Sequence, residues 1–192
     1  MDLSSLKSKL FFGVRDVAET GGMSLASAHV LCSRCVKDGR MLRLKRDFYV
    51  LADDWEYCGT GRLFQIANRL QVPSYLSLTT ALAYHETTTQ VQQRWFESVS
   101  TRRSTTIKAN GKTFVYHKLK RNLYFGFTRK DGIFIADPEK AVLDAAYFES
   151  LGRLDIDWDA LDREKFDLER IDTYLAAFPA RLQHRMKEKC RI

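Results

Sequence analysis

The first fifty residues constrain this chain more than any other stretch, because two short helical patterns run straight into a basic hairpin. Gly13-Val14-Arg15-Asp16-Val17-Ala18 opens a helix that Gly21-Gly22 breaks, and Ser24 opens a second that runs to Asp38-Gly39. Past Gly39 the period changes from helical to alternating: Met41, Leu42 and Leu44, a turn at Lys45-Arg46-Asp47, then Phe48-Tyr49-Val50-Leu51. Leu3, Leu6 and Leu10, spaced along one face, predict a further helix at the start. Helix, tight turn, helix and two-stranded wing is the order of a winged helix-turn-helix, which lays its second helix in the DNA major groove. DNA is therefore the first partner these residues suggest.

The spacing divides each helix into an inner and an outer face. Val14, Val17 and Ala18 line the first helix inward; Met23, Ala28, Leu31, Cys32, Cys35 and Val36 line the second. Ser24 suits an N-cap, since its hydroxyl can accept from first-turn N–H groups, and Gly39 suits a stop. Ser24, Ala26, Ser27, His29, Val30 and Ser33 then face outward, where small and hydroxyl side chains admit a DNA backbone and bond bases or phosphate. Arg34 follows one turn later, Arg43, Lys45 and Arg46 sit on or at the tip of the wing, and Arg15 lies on the positioning helix. The predicted DNA-binding set is Arg15, Ser24, Ser27, His29, Ser33, Arg34, Arg43, Lys45 and Arg46. Taken singly, each cation reads as ordinary surface charge; the topology that gathers them carries the inference. Cys32-Ser33-Arg34-Cys35 has a C-x-x-C spacing, but zinc needs two further ligands and the sequence holds no second C-x-x-C or H-x-x-x-H pair. Both cysteines fall on the inner face, where cysteine packs as a small hydrophobe. No metal or cofactor is expected.

With 192 residues, 45% hydrophobic and twelve Phe, the chain can bury a real core in one large or two small domains. It has no run of about 18 apolar residues, so no transmembrane helix and no membrane partner are expected. The start lacks the continuous apolar region of a signal peptide. Cys32, Cys35, Cys58 and Cys190 make no disulfide framework, which fits a cytoplasmic protein. Net charge is +7, and its distribution is segregated. Residues 1–50 hold nine Lys/Arg against five Asp/Glu, and residues 94–130 hold ten against one. Residues 137–172 reverse this with five against twelve. Basic segments of this density suit a polyanion, and the acidic stretch would be repelled by one. Arg102, Arg103, Lys108, Lys112, Lys118, Lys120 and Arg121 form the second candidate contact set, for nucleic acid or for a protein partner.

Asp53 to Thr60 reads as a linker (53–60), dividing a DNA-binding module (1–52) from a second module (61–192). The second module begins with helices over 62–70, stopped by Pro73, and over Ser77–His85, capped by Ser74 or Ser77. Strands follow at 95–101, 105–109 and 112–117; the last two flank Asn110-Gly111, a strong hairpin signal because both central residues of a type I′ turn need positive φ. Leu123–Thr128 and Ile133–Ala136 predict a second hairpin around Lys130-Asp131-Gly132. Asp137-Pro138-Glu139-Lys140 opens a helix with an N-cap carboxylate, a first-position proline and a first-turn acid, its buried face being Ala141, Val142, Ala145, Ala146 and Leu151. Two further helices are expected near 168–178 and 180–190. The fold class is α+β: an N-terminal winged helix-turn-helix, then a mostly antiparallel sheet flanked by helices. No Walker A loop, nucleophile elbow or H-E-x-x-H is present, and of Asp137, Glu139 and Asp144, the three acids that could make a metal cluster, Asp137 and Glu139 are already accounted for by the helix start. No catalytic residue, and no enzyme, is expected.

Over nearly its full length the chain resembles the AbiEi-type antitoxins of bacterial type IV toxin–antitoxin and abortive-infection (phage-defence) operons. The resemblance rests on Arg15-Asp16-Val17-Ala18, Gly22-Met23-Ser24-Leu25, Ser33-Arg34 and the wing from Gly39 to Tyr49. It continues in Ile66-Ala67-Asn68-Arg69-Leu70, Pro73-Ser74-Tyr75-Leu76-Ser77, Ala81-Leu82-x-Tyr84-His85 and Thr101-Arg102-Arg103. Ile135-Ala136-Asp137-Pro138-Glu139-Lys140-Ala141-x-Leu143-Asp144 is, with Pro-Ser-Tyr, its most specific part. It implies a transcription regulator that binds inverted repeats upstream of its operon as a repressor, and a C-terminal module that counteracts a cognate AbiEii-like nucleotidyltransferase toxin, directly or indirectly. A homodimer on DNA is compatible with it. Gly13 stands where the family often has Thr, Asp47 where the wing often has Gly, and His29-Val30 where Ser-Arg is usual, which implies an altered operator preference and a weaker wing. Two other readings are an independent winged-helix repressor with a ligand-sensing domain, and an atypical kinase acting on the toxin through its Thr101–Thr106 segment.

Overall fold

The computed structural model describes residues 4–190, and their side chains over 5–186. The chain opens with one 3-10 turn, Ser4–Leu6, in place of the expected helix. Leu6 is buried with the helices that follow while Leu10 packs against a different cluster, so the two never share a face; Leu3 lies outside the described residues.

Helix α1 (Val14–Gly21) begins where two of its free N–H groups find carboxylates. Gly13 donates to Asp16 at 2.8 Å, and Val14 donates to Asp47 of the later hairpin at 2.7 Å. Asp47 therefore turns its charge onto the positive end of α1. A Cβ on residue 13 would come 3.0 Å from that carboxylate, so Gly13 and Asp47 fit as a pair. Asp47→Ala is expected to cost about 1–2 kcal/mol, seen as a lower urea midpoint at unchanged slope. Asp47→Gly should cost less, since the residue has φ 54°, which glycine adopts freely.

Helix α2 (Leu25–Lys37) is capped as its sequence predicts, the Ser24 hydroxyl accepting from Ser27 N–H at 3.1 Å. Ala28, Cys32 and Cys35 are buried along its inner face. Strands β1 (Met41–Lys45) and β2 (Phe48–Leu51) form an antiparallel hairpin. Its side chains part in two directions: Met41, Tyr49 and Leu51 join Leu6, Val14, Val17 and Cys32 in a small core, while Leu44, Phe48 and Val50 enter the large one. The stretch read as a linker contains α3 (Ala52–Glu56), whose polar Asp53-Asp54 start masks Trp55, 1% exposed in the large core.

The rest is α4 (Thr60–Leu70), β3 (Ser74–Leu76), α5 (Leu78–Tyr84), β4 (Trp95–Ser100), β5 (Thr105–Ala109), β6 (Lys112–Lys118), β7 (Phe127–Lys130), β8 (Ile133–Ala136), α6 (Pro138–Ser150), α7 (Leu168–Leu175) and α8 (Ala180–Cys190). The six strands from β3 to β8 make one sheet in the order β5-β6-β4-β3-β8-β7. Three of its pairings are antiparallel and two, β3–β8 and β4–β6, are parallel, so the sheet is mixed. Both predicted hairpin turns have positive φ at their central residues, 39° and 77° at Asn110-Gly111 and 50° and 79° at Asp131-Gly132. Strand β7 starts later than predicted because a 3-10 turn, Arg121–Leu123, precedes it. The class is α+β, and among the described residues no helix is long and apolar enough to cross a membrane.

Helix α6 is enclosed on all sides from Glu139 to Phe148, well beyond the predicted stripe, and Leu151 is 45% exposed. Two expected caps do other work. The Asp137 carboxylate accepts from the Tyr174 hydroxyl at 2.9 Å, and Ser77 donates to Asp144 at 2.8 Å. Asp144 also accepts from Tyr75 at 3.0 Å and pairs with Lys140, one turn away on the same helix. Lys140, Asp144 and Ser77 are fully buried, and the ammonium lies 5.2 Å from the Phe125 ring centre and 5.3 Å from that of Phe178. Burial pushes the Asp144 carboxyl up and the Lys140 ammonium down from their ordinary ranges, and each partner's charge opposes that push.

Candidate nucleic-acid interface

The outer face of α2 is open along its length. Ser24, Ala26, Ser27, His29, Val30, Ser33 and Arg34 are all exposed, with Val30 at 59%. Ser24 and Ser27 hydroxyls lie 3.0 Å apart, and Ser33 donates to the His29 carbonyl at 2.9 Å, so these groups are ordered by their own helix.

The hairpin turn folds back toward this face, because Asp47 is tied to the start of α1. The result is one concavity of about 340 Å³ lined by Arg15, His29, Ser33, Arg43 and Arg46, together with Leu25, Asp47 and Tyr49. Residues from α1, α2 and both sides of the hairpin turn thus meet, and three arginines line one concavity, Arg43 with its Nε donating to the Lys45 carbonyl at 3.4 Å. Asp47 is its acidic member and is already engaged with Val14 N–H. Such a cluster can bind phosphate through Arg15, Arg43 and Arg46 while α2 presents His29 and the serines to base edges.

Lys45 departs from the predicted role. Its ammonium donates to the Leu70 carbonyl at 2.8 Å and the Arg69 carbonyl at 3.2 Å, capping the C-terminal end of α4. Desolvation, then the nearby Arg102 charge, push its pKa down. Lys45→Met is therefore expected to leave the salt dependence of DNA binding unchanged, whereas Arg43→Ala should lower its slope by about 0.9.

The second basic set is only partly gathered. Arg102 and Arg103, in the β4–β5 connection, line a polar cleft of about 640 Å³ with Lys45, Leu70, Gln71 and Val72. Gln71, which no sequence pattern singles out, holds this loop by donating to the Arg103 carbonyl at 2.8 Å. Lys112 is withdrawn: it donates to the Trp55 carbonyl at 2.8 Å and sits 4.8 Å from the Trp55 ring centre. Lys108, Lys118, Lys120 and Arg121 are exposed but line neither cavity. Among the described residues no group of His, Cys, Asp and Glu is placed to hold a metal ion. The inner-face cysteines Cys32 and Cys35 are buried as free thiols. No protein-family model matches the chain, and a search of characterised proteins returns no match.

Proposed function

We propose that the protein is an AbiEi-like antitoxin: its N-terminal segment acts as a winged helix-turn-helix on operator DNA and represses its own operon, and it counteracts a cognate nucleotidyltransferase toxin. The observation that supports DNA binding is the convergence of Arg15, His29, Ser33, Arg43 and Arg46 on one concavity beside the exposed serines of α2. In this reading α2 enters the major groove, the arginines grip the flanking phosphates, and Arg102 and Arg103 extend the basic surface beyond the wing. The antitoxin part rests on the family resemblance of the Pro73–Ser77 and Asp137–Asp144 segments. No chemistry of catalysis is assigned to the chain.

Fluorescence anisotropy with the DNA upstream of the gene, against a scrambled duplex at several salt concentrations, tests the first part. Tight, sequence-selective and salt-dependent binding that is lost in Arg15→Ala/Arg43→Ala supports it; equal affinity for both duplexes overturns it. Co-expression with the neighbouring toxin gene tests the second, and undiminished toxicity overturns it. An independent repressor with a ligand-sensing module remains the second reading, favoured by one further cavity of about 480 Å³ walled by Phe64, Tyr84 and Phe96. Absence of a nucleotidyltransferase gene beside this one would turn the balance to it.

A further inference from the structure

The far end of the sheet carries three features that the DNA reading leaves unused. Strand β7 is an outermost strand, paired only with β8. Its pairing runs from Phe127 opposite Ala136 to Lys130 opposite Ile133 without a register shift, and it contains no proline, so nothing distorts its free edge. Beside it lies an apolar groove of about 460 Å³, lined by Val72, Tyr124, Phe127 and Phe134 and flanked by Arg69 and Arg129. Val72 is 54% exposed and Phe134 40%.

This groove is held open by its own hydrogen bonds. The buried Asn68 amide accepts from Phe134 N–H at 2.6 Å and donates to the Phe134 carbonyl at 3.2 Å. It thereby takes the place of a neighbouring strand and fixes the ring at the surface. Phe127 is stacked on the buried Tyr75 ring, 4.4 Å between centres. Neither Arg69 nor Arg129 has an ion pair among the described residues.

We propose that this edge and groove dock an extended, acidic polypeptide segment of a partner protein, which adds a strand to β7 and sets an apolar side chain into the groove. Strand alternation fixes the chemistry. Side chains on the groove face of the incoming strand meet Phe127 and Arg129, so an apolar residue and a carboxylate alternate there. Those on the other face meet Thr128 and Lys130. The free edge offers backbone N–H and C=O groups, which duplex DNA does not use in this way, and the aromatic walls offer nothing to phosphate. Charge complementarity therefore selects an acidic peptide over nucleic acid. The inference does not depend on the DNA reading.

The test is panning of a random linear peptide library on the full-length protein, followed by anisotropy titration of the enriched peptides. Sequences with an apolar residue and an acidic residue two positions apart are expected, with affinity falling at least about tenfold, which is 1.4 kcal/mol, in Phe134→Ala and in Arg129→Glu. Arg129 is exposed, so Arg129→Glu should melt as the parent does and carries the test on its own should Phe134→Ala, whose ring also meets Phe127, melt lower. Peptides with Lys in place of the acidic residue should bind Arg129→Glu better than the parent. Hydrogen exchange should slow at Thr128–Lys130 on binding. No enrichment, binding by both variants unchanged from the parent, protection elsewhere, or displacement of the peptides by duplex DNA would overturn the proposal.

Discussion

Replacing Lys140 by methionine is expected to lower stability by about 3–5 kcal/mol at neutral pH. The change keeps volume but leaves Asp144 fully buried with only the Tyr75 and Ser77 hydroxyls to offset its charge. The loss should shrink in acid. Without Lys140 the folded carboxyl titrates above its unfolded value of 3.8, so the folded state binds the extra proton. Stability then rises as pH falls through the folded pKa and is fully regained only below the unfolded one. Lys140→Met/Asp144→Leu should recover part of the deficit, because it removes both charges and leaves only the Tyr75 and Ser77 hydroxyls without their partners. Urea unfolding of the three proteins at neutral and acidic pH measures this; equal stability of Lys140→Met and the parent at neutral pH would show that the pair is not needed.

Cutting the chain after residue 52 is expected to yield a fragment that neither melts cooperatively nor binds DNA. Leu44, Phe48 and Val50, no more than 6% exposed in the whole protein, are buried by the second module. Exposing three such side chains forfeits roughly 5–9 kcal/mol, more than the roughly 3–5 kcal/mol a core this small supplies. The Lys45 bonds to α4 are lost as well. Circular dichroism on heating decides: a cooperative melt together with intact DNA affinity would show that the small core suffices to hold the hairpin.

Much of the local structure could be read from the residues because it is locally determined. The Ser24 cap, the turns at Asn110-Gly111 and Asp131-Gly132 and the inward Cys32 and Cys35 each depend on a few neighbours in sequence. Strand β3 could not be read: three residues after Pro73 are too few to show a period, and only pairing with β4 and β8 makes them central. The fates of Lys45, Lys112 and Asp47 were hidden for a related reason. Counting charge places them on the surface, while their partners lie 24 or more residues away. Asp144 has no assigned role in the sequence until Tyr75 and Ser77, nearly seventy residues earlier in the chain, close around it. Of the candidate interface, helical spacing made the α2 residues legible and the helix–helix–hairpin order gathered Arg15, Arg43 and Arg46 with them, while the Asp47 bond to the start of α1 was not legible.

The sheet order also acts as a ruler. Hairpin β1–β2 packs against β5 at one margin, while β7 forms the opposite margin. Five inter-strand steps of about 4.8 Å put these margins roughly 24 Å apart. The groove beside β7 reaches inward to Val72, which also lines the Arg102–Arg103 cleft, so occupants of the two surfaces would meet at that residue. Beyond that shared residue the sheet would hold a strand along β7 and the DNA proposed to lie on α2 at a set separation, so that the one is carried to the other.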